Sequence, residues 1–267
     1  LVRSRGLGDV YKRQILPSVN FALTKFNLAG RQGTLNNWKD FGTWYYNNLV
    51  EPASVSTPSI KAEVAALQLQ GSVEDKVKKI YQYMQNKTRY IYVGLGIGGW
   101  LPMMPEEVHQ KGYGDCKGLT NYMKTLLNEA GIPSYYCVIN SGSSQVSFDP
   151  EFPTMGGNHA ILMVPTEKGN IWLENTSQQT AFNHLTYSTT DRNVLSVQKT
   201  GIELINTPTY TAEQNKEKQK LKIKIGEDNG ITGEGSFSYT GNQYDYNLGF
   251  VSLNPKEKSE ALKRRFD

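Results

Sequence analysis

Tyr113-Gly114-Asp115-Cys116-Lys117-Gly118-Leu119 is the stretch whose reading decides the fold. Asp115 is a good N-cap, and Leu119, Tyr122, Met123, Leu126, Leu127 and Ala130 recur behind it at helical spacing. A helix is therefore expected from Asp115 to about Ala130, with Gly131-Ile132-Pro133 as its stop. Cys116 then occupies the first turn, where unpaired backbone N–H groups and the macrodipole favour an anion. The dipole alone contributes only about 0.3–1 kcal/mol at an exposed site, so a thiolate there needs a second cation. Gly118 is expected to leave open space where a substrate would approach.

The cation and its orienting acid lie downstream. Asn158-His159-Ala160-Ile161 opens an apolar strand, and Trp172-Leu173-Glu174 ends another. If the two strands form a hairpin around Thr166-Glu167-Lys168-Gly169, pairing Pro165 with Asn170, then Glu174 lies diagonally from His159 on one sheet face. Diagonal neighbours sit about 7–8 Å apart at the backbone, within reach of a Glu side chain. Asn175 would point away. Nucleophile, base and orienting carboxylate are the parts thiol chemistry requires. An oxyanion also needs donors: the Cys116 backbone N–H is the natural first, and the Trp100 indole N–H a candidate second. His109 and His184 have no partner visible in the sequence.

Around this centre the chain reads as α+β. Ser72 with Asp75 forms a capping box for a helix running to about Asn86, its apolar face being Val73, Val77, Ile80, Tyr81 and Met84. Tyr90-Ile91-Tyr92-Val93 reads as a short strand, and the glycine-rich run from Gly94 to Gly99 as a loop lining a cleft, since no Lys-Ser/Thr follows it to hold a phosphate. Strands follow at Tyr135 to Ile139, His159 to Val164 and Asn170 to Glu174. Upstream, Trp38, Phe41, Trp44 and Tyr45 lie at helical spacing, read as core packing on a connecting helix, preceded by an expected strand from Ile15 to Phe26. From Ile202 onward residues alternate with a period of two, and a polar hinge is expected from Tyr210 to Lys220. The expected organisation is the end of an N-terminal β-domain at 15–54, a core at 55–205, and a truncated β-rich domain at 206–267.

Residues 1–14, read back through the genetic code, match adapter DNA used in sequencing libraries, and are expected to be an artefact. They carry three of the four net positive charges, so the basicity of the 267-residue chain argues for neither nucleic acid nor a membrane surface. No run has the roughly 18 apolar residues of a membrane helix. Two cysteines, Cys116 and Cys137, are too few for a disulfide framework and lack zinc spacing; Cys137, within Tyr135-Tyr136-Cys137-Val138-Ile139, is expected to be packed and inert.

Four segments in order, Tyr113 to Leu119, Ala130-Gly131-Ile132-Pro133, Asn158-His159-Ala160-Ile161 and Trp172-Leu173-Glu174-Asn175-Thr176, resemble the transglutaminase-like superfamily of papain-related thiol enzymes. The resemblance is to bacterial members, common in Bacteroidetes, whose core lies between an N-terminal β-domain and a C-terminal β-sandwich. It implies a Cys-bearing helix packed on an antiparallel sheet, with Cys116 as nucleophile, His159 as base and Glu174 as third member, where most of the superfamily carries Asp. Trp100, Asp115 and Gly118 are the accompanying cleft candidates. No metal or cofactor is implied, because no acidic cluster suggests the calcium sites of animal transglutaminases. A cysteine acyl-transfer enzyme acting on polypeptide or cell-wall peptide is expected, more hydrolytic than cross-linking, with a periplasmic or secreted address. The rival expectation is a non-catalytic binding or scaffolding module that keeps the fold.

Overall fold

The computed structural model describes residues 19–143, 146–228 and 230–266, so the expected artefact at 1–14 lies outside the described residues. Of the expected first strand, residues 15–18 also lie outside. The first regular element is a short hairpin of β1 (Lys25–Leu28) and β2 (Arg31–Thr34). Helix α1 (Trp38–Tyr45) begins where the Asn37 side chain accepts the Asp40 N–H, and it runs into a π-helical turn at Tyr46–Val50. Its aromatic stripe is buried, as the spacing predicts.

Helix α1 is nevertheless no mere connector. Along the chain come α2 (Pro58–Ala66), α3 (Val73–Lys87), β3 (Arg89–Tyr90), α4 (Pro105–Lys111), β4 (Tyr113–Gly114) and α5 (Cys116–Glu129). Strands β5 (Tyr135–Ile139), β6 (His159–Thr166), β7 (Gly169–Leu173), β8 (Asn193–Gln198) and β9 (Gly201–Asn206) then form one antiparallel sheet in the order β7-β6-β5-β8-β9. Helix α1 lies against β8 and β9 of that sheet. Gly42 makes the approach possible, because a Cβ there would stand 2.3 Å from backbone atoms of Gly201 and Ile202. The aromatic helix therefore shares a core with Tyr136, Val138, Leu195 and Val197, and the expected boundary near residue 54 does not separate it from the sheet.

The capping box at Ser72 and Asp75 is present, and Val77, Ile80, Tyr81 and Met84 of α3 meet Leu119, Met123 and Leu126 of α5 over β6 and β7. Val73 is exposed instead, being the first residue of the helix and beyond the reach of the sheet. The opposite face of the sheet is covered by a smaller cluster of Cys137, Ile139, Ile161, Met163, Trp172 and Leu185. Burial pushes the Cys137 thiol up to about 12, in keeping with a packing residue.

Two expectations need revision. Only Arg89 and Tyr90 are strand, paired in parallel with β4, and Ile91 to Val93 are exposed. Past β9, β10 (Glu217–Ile225) and β11 (Ile231–Tyr239) make a two-stranded hairpin, exposed along most of its length, followed by α6 (Asn242–Asp245), α7 (Leu248–Val251) and α8 (Pro255–Phe266). Among the described residues this is a hairpin with helices, with no second sheet to make a sandwich. Strand β9 itself alternates because it is the edge of the central sheet, where one face is solvated. The Tyr210 hydroxyl donates to the Leu185 carbonyl at 2.9 Å, so the expected hinge is tied down at its start, and His184 Nε2 meets Asp245 of α6 at 2.6 Å.

Candidate active site

Asp115 caps α5 as the sequence predicts: its Oδ1 accepts the Gly118 N–H at 2.9 Å. Its other oxygen is paired with Lys117. Asp115 is only 2% exposed and does not line the cleft, so its role is to hold the helix start on which Cys116 sits. Gly118 departs from expectation. A Cβ there would meet the Met103 Cβ at 2.9 Å, so the missing side chain makes room for Met103, not for a ligand.

Cys116, 8% exposed, opens onto a cleft of about 280 Å³ shared with Lys117, Gly99, Trp100, Asn158 and His159. The glycine run thus reaches the cleft through Gly99, and Trp100 is beside it as expected. A larger hollow of about 810 Å³ beside Lys25 and Trp44 holds no nucleophile next to a base, which makes the smaller cleft the candidate.

The hairpin register is the predicted one, Pro165 opposite Asn170 and Leu162 opposite Leu173. It brings Glu174 to His159: Nε2 lies 3.1 Å from Oε1 and 2.9 Å from Oε2. The Thr176 backbone N–H, at 3.2 Å, and its hydroxyl, at 2.6 Å, both donate to Oε1. Strand β7 stops at Leu173, so Glu174 starts from beyond the ladder. Asn175 points elsewhere, donating to Thr120 Oγ1 at 3.1 Å.

The electrostatics follow from this geometry. Burial works against charge on His159, but the Glu174 carboxylate, with the Cys116 thiol as a further partner, outweighs it and carries the imidazole up to about 10. Burial would likewise raise the Glu174 carboxyl, yet the facing His159 and the Thr176 bonds hold it below its ordinary value. Only the Glu174 contact meets strict hydrogen-bond geometry; the thiol contact is the looser one, as is common before a substrate closes a site. A thiol beside an imidazole that a buried carboxylate keeps protonated can serve as a nucleophile with its own acid and base.

Several positioning groups carry no local sequence signal. Thr120, one turn after Cys116, donates to the carbonyl of Ala160 at 3.1 Å and accepts from Asn175, so one hydroxyl ties α5 to the residues next to His159 and Glu174. Tyr81 on α3 donates to the Glu174 carbonyl at 2.7 Å. Buried Arg192 donates to carbonyls of Thr190, Asn140, Gly142 and Tyr187, and Asn158 exchanges two hydrogen bonds with the backbone of Ser141, fixing the loop beside His159. Gly156-Gly157 before Asn158 is a usable signal: Gly157 has φ +103, and a Cβ would stand 2.3 Å from Val138 Cγ1. The other two histidines have structural partners, His109 with the Tyr122 hydroxyl at 2.8 Å and His184 with Asp245. Among the described residues, no three His, Cys, Asp or Glu side chains gather to hold a metal ion, and no helix is long and apolar enough to cross a membrane.

Residues 60–177 match the transglutaminase-like superfamily. No curated protein matches the chain. A solved structure of a candidate protease from Parabacteroides distasonis is 15% identical with a TM-score of 0.49, covering 90% of this chain and 45% of that one. A second, a candidate cysteine protease from Cytophaga hutchinsonii, is 14% identical with a TM-score of 0.35, covering 71% and 53%. The chain spans about half the length of these solved proteins. The segment that matches the transglutaminase-like superfamily, residues 60–177, is the one that carries Cys116, His159 and Glu174, with its Cys-bearing helix beside an antiparallel sheet.

Proposed function

We propose that the protein is a cysteine acyl-transfer enzyme in which Cys116 is the nucleophile, His159 its base and acid, and Glu174 the orienting carboxylate. The observation that carries this reading is the bifurcated contact of Glu174 with His159 Nε2, at 3.1 and 2.9 Å, in a ring that shares its cleft with Cys116. With Nε2 committed to Glu174, Nδ1 is the nitrogen left to exchange a proton with sulfur. The Cys116 thiolate adds to a peptide or carboxamide carbonyl. His159 passes its proton to the leaving amine, and the C–N bond breaks to leave a thioester on Cys116. Water then attacks the thioester, giving one proton to His159, and the acid departs as the Cys116 thiolate re-forms.

Water is the acceptor in this reading, and an amine acceptor is the alternative that the test separates from it. Polypeptide or cell-wall peptide as substrate rests on the expected hinge and β-rich flanks, and a periplasmic or secreted address on the family resemblance. The division into a core with β-rich flanks rests on that resemblance together with the change of sequence pattern from Ile202 onward. The test uses p-nitrophenyl acetate, which needs no knowledge of the natural substrate. A stoichiometric burst of nitrophenolate with one acetyl group on Cys116 by mass spectrometry is expected. Added glycinamide should be acylated far more slowly than the thioester hydrolyses. No adduct, or an adduct on another residue, contradicts the reading; capture dominated by the amine would make the enzyme a cross-linker instead.

A further inference from the structure

Attack on a carbonyl creates an oxyanion, and beyond the Cys116 backbone N–H it needs a second donor. Trp100 lines the cleft, but two phenols stand there as well. Tyr45, the last residue of α1 and 4% exposed, and Tyr136 of β5, fully buried, both line the cleft with Cys116, their ring centroids 6.3 Å apart and tilted by 36°. The Trp100 ring packs on Tyr45 at 6.4 Å, so the three rings form one wall.

The Tyr136 hydroxyl is buried with no hydrogen-bond partner. Such groups are rare in folded proteins and call for an explanation. Among the described residues, several buried side-chain polar atoms share this condition, and Tyr136 is the one that belongs to the cleft. Its polar neighbour is the Tyr45 hydroxyl, which it faces outside strict hydrogen-bond geometry. Burial above all pushes both phenols well above their ordinary value of 10; Tyr45 adds to this for Tyr136, Tyr136 partly offsets it for Tyr45, and the nearby Cys116 and Asp115 add to both. Both therefore keep their protons, and each hydroxyl has a hydrogen to donate while its oxygen can still accept one. They lie close enough to Cys116 to feel its charge, which is where a tetrahedral oxygen would form.

Resting on the acyl-transfer reading, we propose that Tyr45 is the second oxyanion donor and Tyr136 its positioning residue. In the transition state Tyr45 O–H donates to the substrate oxygen, and Tyr136 O–H donates to the Tyr45 oxygen; no proton changes owner. This explains why the pair is incompletely bonded in the free protein: the hydrogen-bond chain lacks its terminal acceptor until a carbonyl arrives. It also gives α1, far upstream of the Cys-bearing helix, a chemical reason to be packed onto the sheet.

Two reagents separate this proposal from the one beneath it. Iodoacetamide alkylates sulfur by direct displacement and creates no carbonyl oxyanion, whereas p-nitrophenyl acetate must pass through one. Tyr45→Phe should slow acetylation of Cys116 by about 10²–10³-fold, in line with loss of one oxyanion donor, while alkylation at pH 6 changes less than about 2-fold. Tyr136→Phe should act in the same direction with a smaller loss, again in acetylation only, and it provides the test should Tyr45→Phe not fold. Acetylation left intact in both variants overturns the proposal. So does an equal loss in acetylation and alkylation, which would place the phenols on the thiolate, or a loss carried by Trp100→Phe instead. Failure of the acyl-transfer reading looks different: the unmodified protein itself would neither acetylate nor alkylate rapidly at pH 6.

Discussion

Cys116→Ala is expected to bring acetyl transfer down to solvent background, a loss of about 10⁵–10⁶-fold by comparison with removal of other nucleophiles that work as a unit with their base. Stability should move by less than about 1 kcal/mol, because only a sulfur is removed and the Ala backbone suits the first turn of α5. Thermal unfolding followed by circular dichroism reads the second quantity on the same sample. The combination is diagnostic. Cys116 belongs to a buried cluster with Tyr45, Tyr136 and Ala160, so a scaffolding module would use it for packing and respond the other way, with a lowered melting temperature and no chemistry to lose. A drop of several degrees together with unchanged esterase activity would favour the scaffold.

Glu174→Gln should be the next most damaging change. Glutamine keeps the shape and can still accept from Thr176 and from one imidazole N–H, so the fold survives; what disappears is the negative charge. Burial then acts on His159 with only Cys116 left to oppose it, and the imidazole, held up to about 10 in the native protein, falls back toward its ordinary 6.5. Neutral at pH 7, it can no longer sustain a thiolate or protonate the leaving amine. Acetylation should slow by about 10²–10⁴-fold, the range general acid–base catalysis and triad carboxylates contribute.

The same substitution changes the pH dependence of stability, with a definite sign. His159 has a folded-state value above its unfolded one, so its contribution is complete below about 6.5 and is lost as pH rises through about 10. Glu174 is lowered, so its contribution is present above its ordinary 4.5 and is lost as pH falls through the lower folded value. The native protein should therefore exceed Glu174→Gln in melting temperature across the neutral range, and the gap should close as pH passes 10. A gap independent of pH would mean that Glu174 packs and does not pair.

Much of the site is legible in local signals because local physics builds it. Asp115 before Cys116 is a helix start by capping alone, the Ser72–Asp75 box marks α3, and an even hairpin loop puts Glu174 on the face of His159. The features that sequence reading misses depend on contacts between distant segments. Tyr45 reaches the cleft only because Gly42 lets α1 lie on Gly201 and Ile202, about 160 positions away in the chain, and no periodicity in either segment announces that meeting. Thr120 and Arg192 read as an unremarkable helix residue and a strand-flanking cation until their carbonyl acceptors are seen. Gly118 misleads for a related reason: a glycine after a nucleophile could face ligand or protein, and here it faces Met103. The alternation from Ile202 reads as the start of another domain, although an edge strand of the first sheet produces the same pattern.

The proposed chemistry rests on an imidazolium that a buried carboxylate keeps next to the Cys116 sulfur. The rate of Cys116 alkylation by iodoacetamide as a function of pH, read by peptide mass spectrometry, tests this most directly. Cys137, fully buried with its thiol pushed up to about 12, provides an unreactive internal control. A thiolate–imidazolium pair predicts a rate at pH 6 close to that at pH 8, and a marked fall at pH 6 in Glu174→Gln. A rate that drops about tenfold per pH unit below roughly 8.5, as an unassisted thiol does, would contradict it.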